Sequence, residues 1–596
     1  MNKYRNLNNL VGGEFLIKNT RPSDVFSAED WSEEDIMIKD ALIEFIEKEV
    51  LPHIDEFDEG SKKKDVPLLL KKAGELGFFG TVIPEKYGGM EAGFNTNILF
   101  GEAAAYGFFF GTTIGVQTSI GTLPIVYYGT NEQKEKYLPR IMTGEIKTCY
   151  CLTEPESGSD ANSGKTRAFL NDDKSHYVLS GQKIWISNGG FADLFIVFAK
   201  IEDDKNLSAF IVEKGFGGIT IGREEKKMGI KGCSTVQLFF ENCTVPVTNL
   251  LGKRNQGFKI ALNILNAGRL KIAGSGIGGS KLALKKSAEY ASQRKQFRKT
   301  IGEYGAIKKK LAEMAIKTFA LESATYRVGH DIDKKFSQII ENGTSKENSK
   351  LEAIKEFVVE CSILKVVGSE VLDYVADESI QIHGGMGYAT ETGVERGYRD
   401  ARITRIYEGT NEINRLLAFG ELMKKAFKTD SLPLLPHMKA VPKRYLLQKI
   451  SFSSNSPEKT IKNLKQAFLL IAGKAGSSLK KTLIDEQEII LNISNIMIEI
   501  LIAESCFLRV EKLKKIKGYN KQKLKLQEKA ALVRIYDAVD CVKKEGQDAI
   551  NSFTLGFENK ILHEMLSSFT KNININPKEY RRDIANNILE EKKFTL

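Results

Sequence analysis

Apolar residues recur at three- and four-residue spacing over 33–79 and 94–145, which predicts amphipathic helices packed on a common core. Ser32, ahead of Glu33, Glu34 and Asp35, marks a helix start, and Gly77 and Gly80 mark exits. From about residue 146 the period shortens. LFIVFAK (194–200), SAFIVEK (208–214) and TVQLFFEN (235–242) are β-branched and aromatic runs between Gly, Asn and Asp clusters, the pattern of antiparallel strands. Helical spacing returns after Gly257 and runs to about Lys425, with ENGTSKENSK (341–350) predicted as a solvated loop. SLPLLPHMKAVPK (431–443) carries three prolines and reads as a linker. Beyond Ser456 the chain is helical again. EIILNISNIMIEILIAESCFL (488–508) contains Asn492, Asn495, Glu499 and Glu504, which favour a bundle helix over a membrane span. The pattern predicts an α+β protein. Its parts are an N-terminal helical domain over 1–145, a middle β domain over 146–256, a helical bundle over 257–428, a linker over 429–455 and a C-terminal helical domain over 456–596.

Composition narrows the class. With 596 residues, 42% of them apolar and 27% charged, the chain has room for roughly three or four globular domains and is neither collagenous, disordered nor a disulfide scaffold. No run of about eighteen uncharged apolar residues occurs, and MNKYRNLNNLVGGEFLIKN lacks the apolar core of a secretory signal, so the expectation is a soluble, cytoplasmic protein. The seven cysteines form no CxxC pair, so neither a disulfide framework nor a metal site is expected; Cys149 and Cys151 read as reduced core thiols. The net charge of +11 is unevenly placed. Lys plus Arg equals Asp plus Glu at 58 each over 1–430, whereas 29 face 18 over 431–596. A basic appendage on a neutral body predicts an acidic partner or peripheral contact with an anionic membrane at its inner face, and argues against a nucleic-acid enzyme. Lysines that serve only solubility are the competing reading. In MKAVPKRYLLQKISF (438–452), Lys439, Lys443, Arg444 and Lys449 interleave with Leu446, Leu447, Ile450 and Phe452, as in a helix lying on a membrane surface.

Candidate chemistry lies in five polar, glycine-rich islands. GSGIGG (274–279) matches a dinucleotide loop by letters, but it follows a helical pattern where that motif needs a strand, so small residues for close helix contacts are the expectation. No P-loop, HExxH or serine elbow occurs. The first island, Tyr150 to Asp160, offers hydroxyls and amides that could hydrogen-bond a heteroaromatic ring or a phosphate. The second, Lys183 to Gly189, sets Trp185 and Ser187 on one strand face. The third, Arg294 to Phe297, pairs a cation with an aromatic ring. The fourth, Gln381 to Gly387, lets backbone approach a ligand; His383 within it reads as a packing residue. The fifth runs from Arg402 to Glu412.

In this order and spacing, YCLTEPESGSDA, KIWISNGG, RKQF, QIHGGMGY and RIYEGTNEI resemble the acyl-CoA dehydrogenase family of flavoproteins over about 30–425, and the segment after 430 resembles its very-long-chain branch. The resemblance implies FAD as cofactor and first-step β-oxidation of a saturated, long-chain acyl-CoA to its trans-2-enoyl-CoA. It further implies electron-transfer flavoprotein as acceptor and a homodimer as the working form. It places Tyr150, Leu152, Thr153, Ser159, Trp185 and Ser187 around the isoalloxazine, with Ser159 also reaching substrate. Arg294, Gln296, Phe297, Gln381, Gly384 and Gly385 would hold pyrophosphate and adenine, some from a second subunit, and Thr410 and Glu412 would cover the cofactor. Asn266 and Arg269 would meet the CoA portion, and Tyr407 and Gly409 would flank the thioester. Arg298 and Lys308 depart from the family's usual glycine and glutamine. Removing a proton alpha to a thioester, with hydride loss from the beta carbon, needs a carboxylate in a dry pocket, and Glu408 fits that base; a plain helix-start carboxylate is the alternative. Gly111 and Gly115, one turn apart in an apolar helix, give either an open volume for the acyl tail or close helix packing. An oxygen-using acyl-CoA oxidase and an assembly scaffold are the competing functions. The chain lacks the extra length of larger oxidases, and a scaffold has no need of Glu408.

Overall fold

The computed structural model describes residues 10–450 and 456–596, with the side chains of residues 347, 348, 449 and 450 left aside. The Ser32 hydroxyl accepts from the Asp35 N–H at 3.1 Å and opens helix α1 (Glu33–Glu49). With α2 (Phe94–Ala104) and α3 (Phe109–Gln117) it encloses a core of Phe45, Phe78, Phe100, Phe109 and Phe110. Gly77 turns the chain at φ +82°, whereas Gly80 lies inside the following 3-10 turn and ends no helix.

The middle segment is a sheet of eight strands: β1 (Thr148–Cys151), β2 (Arg167–Leu170), β3 (His176–Ser187), β4 (Leu194–Ile201), β5 (Ser208–Glu213), β6 (Ile219–Ile221), β7 (Thr235–Pro246) and β8 (Leu250–Leu251). Their order is β6-β7-β3-β2-β4-β5-β8, with β1 parallel to β4. LFIVFAKI is almost unbroken in apolar character because β4 is covered on both faces. All seven cysteines are free, and Cys149 and Cys151 are fully buried.

Helices α4 (Gly257–Gln293), α5 (Gly305–Glu341), α6 (Lys346–Glu356), α7 (Val358–His383) and α8 (Asn411–Met423) form the next layer. The GSGIGG stretch lies inside α4. A Cβ on Gly274, Gly276 or Gly278 would stand 2.4, 2.6 or 2.0 Å from the carbonyl oxygens of Ile98, Gly368 and Glu102, so these glycines let helices touch backbone to backbone. The expected loop over 341–350 is only half a loop. Lys346 already opens α6, where Lys346 and Lys350 pair with Glu91 and Ala353 and Ile354 are fully buried.

The expected linker is helical as well, as α9 (Leu434–Lys439) and α10 (Val441–Ile450). Pro436 and Pro442 sit in first turns, where a missing N–H costs nothing, and Leu432, Leu434 and Val441 are buried. Phe452 lies outside the described residues. The C-terminal module is α11 (Pro457–Leu479), α12 (Gln487–Leu513), α13 (Lys521–Phe553), α14 (Gly556–Phe569) and α15 (Pro577–Glu591). Helix α12 is long and apolar enough to cross a membrane, but 78% of its most apolar window is buried in the bundle. Its Arg509 joins Glu29 and Glu322 at 2.7 Å each, and its Glu504 joins Arg327 and Lys465. The pairs with Glu29, Glu322 and Arg327 lock the module to the N-terminal segment and to α5, and the pair with Lys465 ties α12 to α11 within it.

Candidate active site

A cleft of about 470 Å³ opens between α3, α4, α8 and the strand ends of the β domain. Glu408 lies on its wall, between Tyr407 and Gly409, which line it too. Glu408 has φ +54° and Gly409 +85°, a left-handed pair that costs a non-glycine residue about 1–2 kcal/mol. The surroundings hold it there. Asn414 Nδ2 donates to the carbonyls of Glu408 (3.3 Å), Gly409 (2.7 Å) and Thr410 (3.1 Å), Lys365 Nζ to that of Gly409 (2.7 Å) and Arg269 Nε to that of Glu408 (3.4 Å). Thr410 caps α8, its Oγ1 accepting from the Ile413 N–H at 3.3 Å.

Burial pushes the Glu408 carboxyl up to about 7, against the pull of the Arg269, Lys365 and Lys271 cations. Its Oε2 is enclosed and has no hydrogen-bond partner. That combination is a proton acceptor poised near neutrality and not satisfied by the protein itself. Gly268 makes room for it, since a Cβ there would lie 2.3 Å from Oε2. Lys271, pushed down to about 7 by burial, donates to the Thr118 carbonyl (2.6 Å) and hydroxyl (3.1 Å). The Tyr150 hydroxyl is likewise unpartnered, and burial together with the Glu408 charge holds it well above the ordinary phenol range. The sequence reading missed Gly268, Lys271 and Lys365. Lys271 alone left a signal there: it shares one face of α4 with Ile272 and Ser275, with Arg269 nearby, and a lysine on an apolar helix face needs a reason.

The first two islands reach the cleft. Leu152, Thr153, Ser159, Trp185 and Ser187 all line it. Lys183 is fully buried beneath them, donating to Glu154 Oε1 (2.6 Å) and the Leu152 carbonyl (3.2 Å), which fixes the Thr153–Ser159 turn. Trp185 stands at φ +60° where the β3–β7 register shifts, so strict alternation fails and Ile186 lines the cleft as well. Gly111 and Gly115 both border the cleft but differ. A Cβ on Gly111 would meet the Ala104 carbonyl at 2.6 Å, whereas nothing lies within 4 Å of one on Gly115. Gly111 is thus a packing residue and Gly115 faces open space. Asn266 does not border the cleft; it is buried behind Arg269, accepting from Nη1 at 2.7 Å.

Other expected cofactor residues stay away from this cleft within one chain. Arg294, Gln296 and Phe297 belong to a hairpin, β9 (Lys295–Gln296) and β10 (Lys299–Thr300), with Phe297 88% exposed. Phe297 and Arg298 both have positive φ, so the Arg298 departure sits at a turn position that favours glycine. Lys308 lies in the first turn of α5. Gln381, Gly384 and Gly385 are exposed at the end of α7, and Glu412 is exposed in the first turn of α8. His383 stacks on Tyr290 with ring centroids 4.3 Å apart, as a packing residue does.

A helical layer, a small β domain and a helical bundle meet around this cleft, with the buried Glu408 carboxylate on its wall, the arrangement of an enzyme active site. The acyl-CoA dehydrogenase N-terminal domain model matches residues 32–145, the middle domain model 149–243 and two C-terminal domain models 255–419 and 463–568. A probable acyl-CoA dehydrogenase of Bacillus subtilis is 40% identical over 98% of this chain and 98% of its own length. The very long-chain specific acyl-CoA dehydrogenase of Rattus norvegicus is 42% identical over 57% of this chain, a match that spans 51% of that relative. The crystal structure of an acyl-CoA dehydrogenase complexed with FAD from Bacillus anthracis superposes with a TM-score of 0.94 at 40% identity, covering 98% of this chain and 100% of that one. The chain belongs to the acyl-CoA dehydrogenase family, a family of FAD-dependent oxidoreductases.

Proposed function

We propose that this protein oxidises saturated, long-chain acyl-CoA thioesters to trans-2-enoyl-CoA, with Glu408 as the base. The observation that carries this reading is the enclosed, unpartnered Glu408 Oε2 on the wall of the cleft. The cleft fits a flavin: Trp185 is 58% exposed along it, the Tyr150 hydroxyl lacks a partner, and Gly158 leaves open space on its rim. When bound, FAD supplies the two-electron acceptor for the hydride leaving the beta carbon. Glu408 takes the alpha proton, and its own N–H, beside Gly409, is available to polarise the thioester carbonyl. Leu152, Thr153, Ser159, Trp185 and Ser187 would hold the ring system, and Arg269 keeps Glu408 in place.

The exposed Arg294, Gln296, Phe297, Gln381, Gly384 and Gly385 fit a homodimer in which each subunit completes its partner's cofactor site. Electrons would pass to electron-transfer flavoprotein. Open space at Gly115 supports a long acyl chain, as does the likeness to the rat very long-chain enzyme. A further proposal is peripheral contact with an anionic membrane. Its support is α10, which exposes Leu446 (60%), Leu447 (58%) and Lys443, with Lys439 just before it. Arg444 is less available there, since it donates to Gln466.

The test is anaerobic titration of purified holoprotein with butyryl- to stearoyl-CoA, following flavin bleaching. Glu408→Gln should retain FAD yet slow bleaching about a thousandfold, because a positioned base contributes roughly a hundred- to ten-thousandfold. Fast bleaching by the variant would overturn the assignment.

A further inference from the structure

Hydrogen bonds continue from the Glu408 loop into the C-terminal module. Lys365, fully buried on α7, donates to the Gly409 carbonyl and also to Asn411 Oδ1 at 2.8 Å. Asn411 Nδ2 donates to Glu370 Oε1 at 3.1 Å, and both Glu370 oxygens receive the Arg415 guanidinium at 2.8 and 3.0 Å. Arg415 Nε then donates to Asn495 Oδ1 at 2.8 Å, across the boundary to α12, while Ser494 Oγ donates to the Arg415 carbonyl at 2.9 Å. Asn495 Nδ2 donates to Glu545 Oε1 on α13 at 3.0 Å, and Asn492 Nδ2 to its Oε2 at 2.6 Å.

The chemistry of the partners fixes every direction in this chain. A guanidinium can only donate and a carboxylate only accept, so Asn495 between Arg415 and Glu545 has one satisfied orientation. Such a series is stiff at both ends, and one end is the loop that holds Glu408 in a costly left-handed conformation. The module therefore does more than cover the bundle.

We propose that the C-terminal helical module is part of the apparatus that positions the base: Asn495 and Glu545, acting through Arg415, Glu370, Asn411 and Lys365, keep the Glu408 loop in its working geometry. The proposal rests on Glu408 being the base. These are positioning residues, and their loss is expected in the rate of flavin reduction while half-saturation by acyl-CoA stays put.

The experiment uses full-length holoprotein and rapid mixing with palmitoyl-CoA. Asn495→Asp sets a carboxylate against Glu545 and should slow reduction about three- to thirtyfold at unchanged half-saturation and FAD content. Combining it with Glu545→Gln inverts donor and acceptor, rebuilds the series and should restore most of the rate. If Asn495→Asp loses FAD, Glu545→Gln alone gives the same reading, because it can accept from only one of the two asparagines and should slow reduction to a smaller extent. Wild-type rates in the single variants, or a loss that the double variant does not restore, would overturn the proposal. Glu408→Gln run beside them separates the two ideas: if it reduces flavin at the wild-type rate the base assignment falls, and if it is slow while the Asn495 and Glu545 variants are not, only the positioning role falls.

Discussion

A single carboxyl illustrates how environment makes function. Glu408 is an ordinary glutamate in the sequence, and burial raises it to about 7 while three cations limit the rise. A raised folded-state value means that its contribution to stability is complete below the unfolded value near 4.3 and is lost as pH climbs through about 7. The proposed catalysis has the opposite slope, since a base works only when ionised. Flavin reduction at limiting acyl-CoA should therefore rise through a midpoint near pH 7, while this group's contribution lowers the midpoint of thermal unfolding as pH climbs from the unfolded value to about 7 and is flat above it. Stopped-flow traces and melting curves across pH 5 to 9 check both signs, and a flat rate profile would remove Glu408 from the rate-limiting proton transfer. The residue type and its motif were legible in the sequence. Gly268 was not, because only the helix crossing shows that a methyl group there would collide with the carboxylate.

Among the elements, α3 separates two glycines that look alike in sequence. Gly115→Val adds atoms to open space in the cleft and should spare butyryl-CoA turnover while depressing palmitoyl-CoA turnover, each displaced methylene losing roughly 0.8 kcal/mol of burial. Gly111→Ala instead drives a methyl into the Ala104 carbonyl and should depress all chain lengths together through loss of stability. Steady-state rates across chain lengths, with a melting curve for each variant, distinguish the two; equal losses at Gly115 for short and long substrates would deny it a place in the acyl channel. Strand and helix periods were readable from residue spacing, including β4 and the capped start of α1. The helices at 434–450 were not, because prolines in first turns read like those of a linker until buried Leu434 and Val441 show the segment docked. The Trp185 bulge was hidden for a related reason: a register shift leaves no mark on an alternating sequence.

Across the whole molecule, the net charge of +11 falls entirely after residue 430, yet several of those cations are spent internally. Arg509 serves Glu29 and Glu322, Lys465 serves Glu504, and Arg534 serves Glu499. Removing one partner from a buried pair such as those of Arg509 typically costs about 3–5 kcal/mol; the Arg509 pairs dock the module, the other two hold its helices together, and all of these cations are unavailable to a membrane. Lys439 and Lys443 remain exposed beside Leu446 and Leu447. Flotation with vesicles containing anionic lipid should recover the protein at low salt and lose it at high salt, and Lys439→Glu with Lys443→Glu should abolish recovery, at about 1 kcal/mol per cation. Recovery that ignores both salt and charge reversal, or none at all, would leave the module as a bundle cover and base support alone.

The sequence by itself determined the order of helical and β segments and the five islands, and it singled out Glu408 as the candidate base, because periodicity and motif chemistry are local properties of a chain. Tertiary structure decided which of these features meet. It raised Glu408 by burial, gave Gly111 and Gly115 different roles, left the Phe297 hairpin and Gln381 outside their own cleft, and ran a hydrogen-bond series from residue 365 to residue 545. Desolvation and contact at a distance along the chain depend on what packs nearby, and residue spacing alone does not encode that.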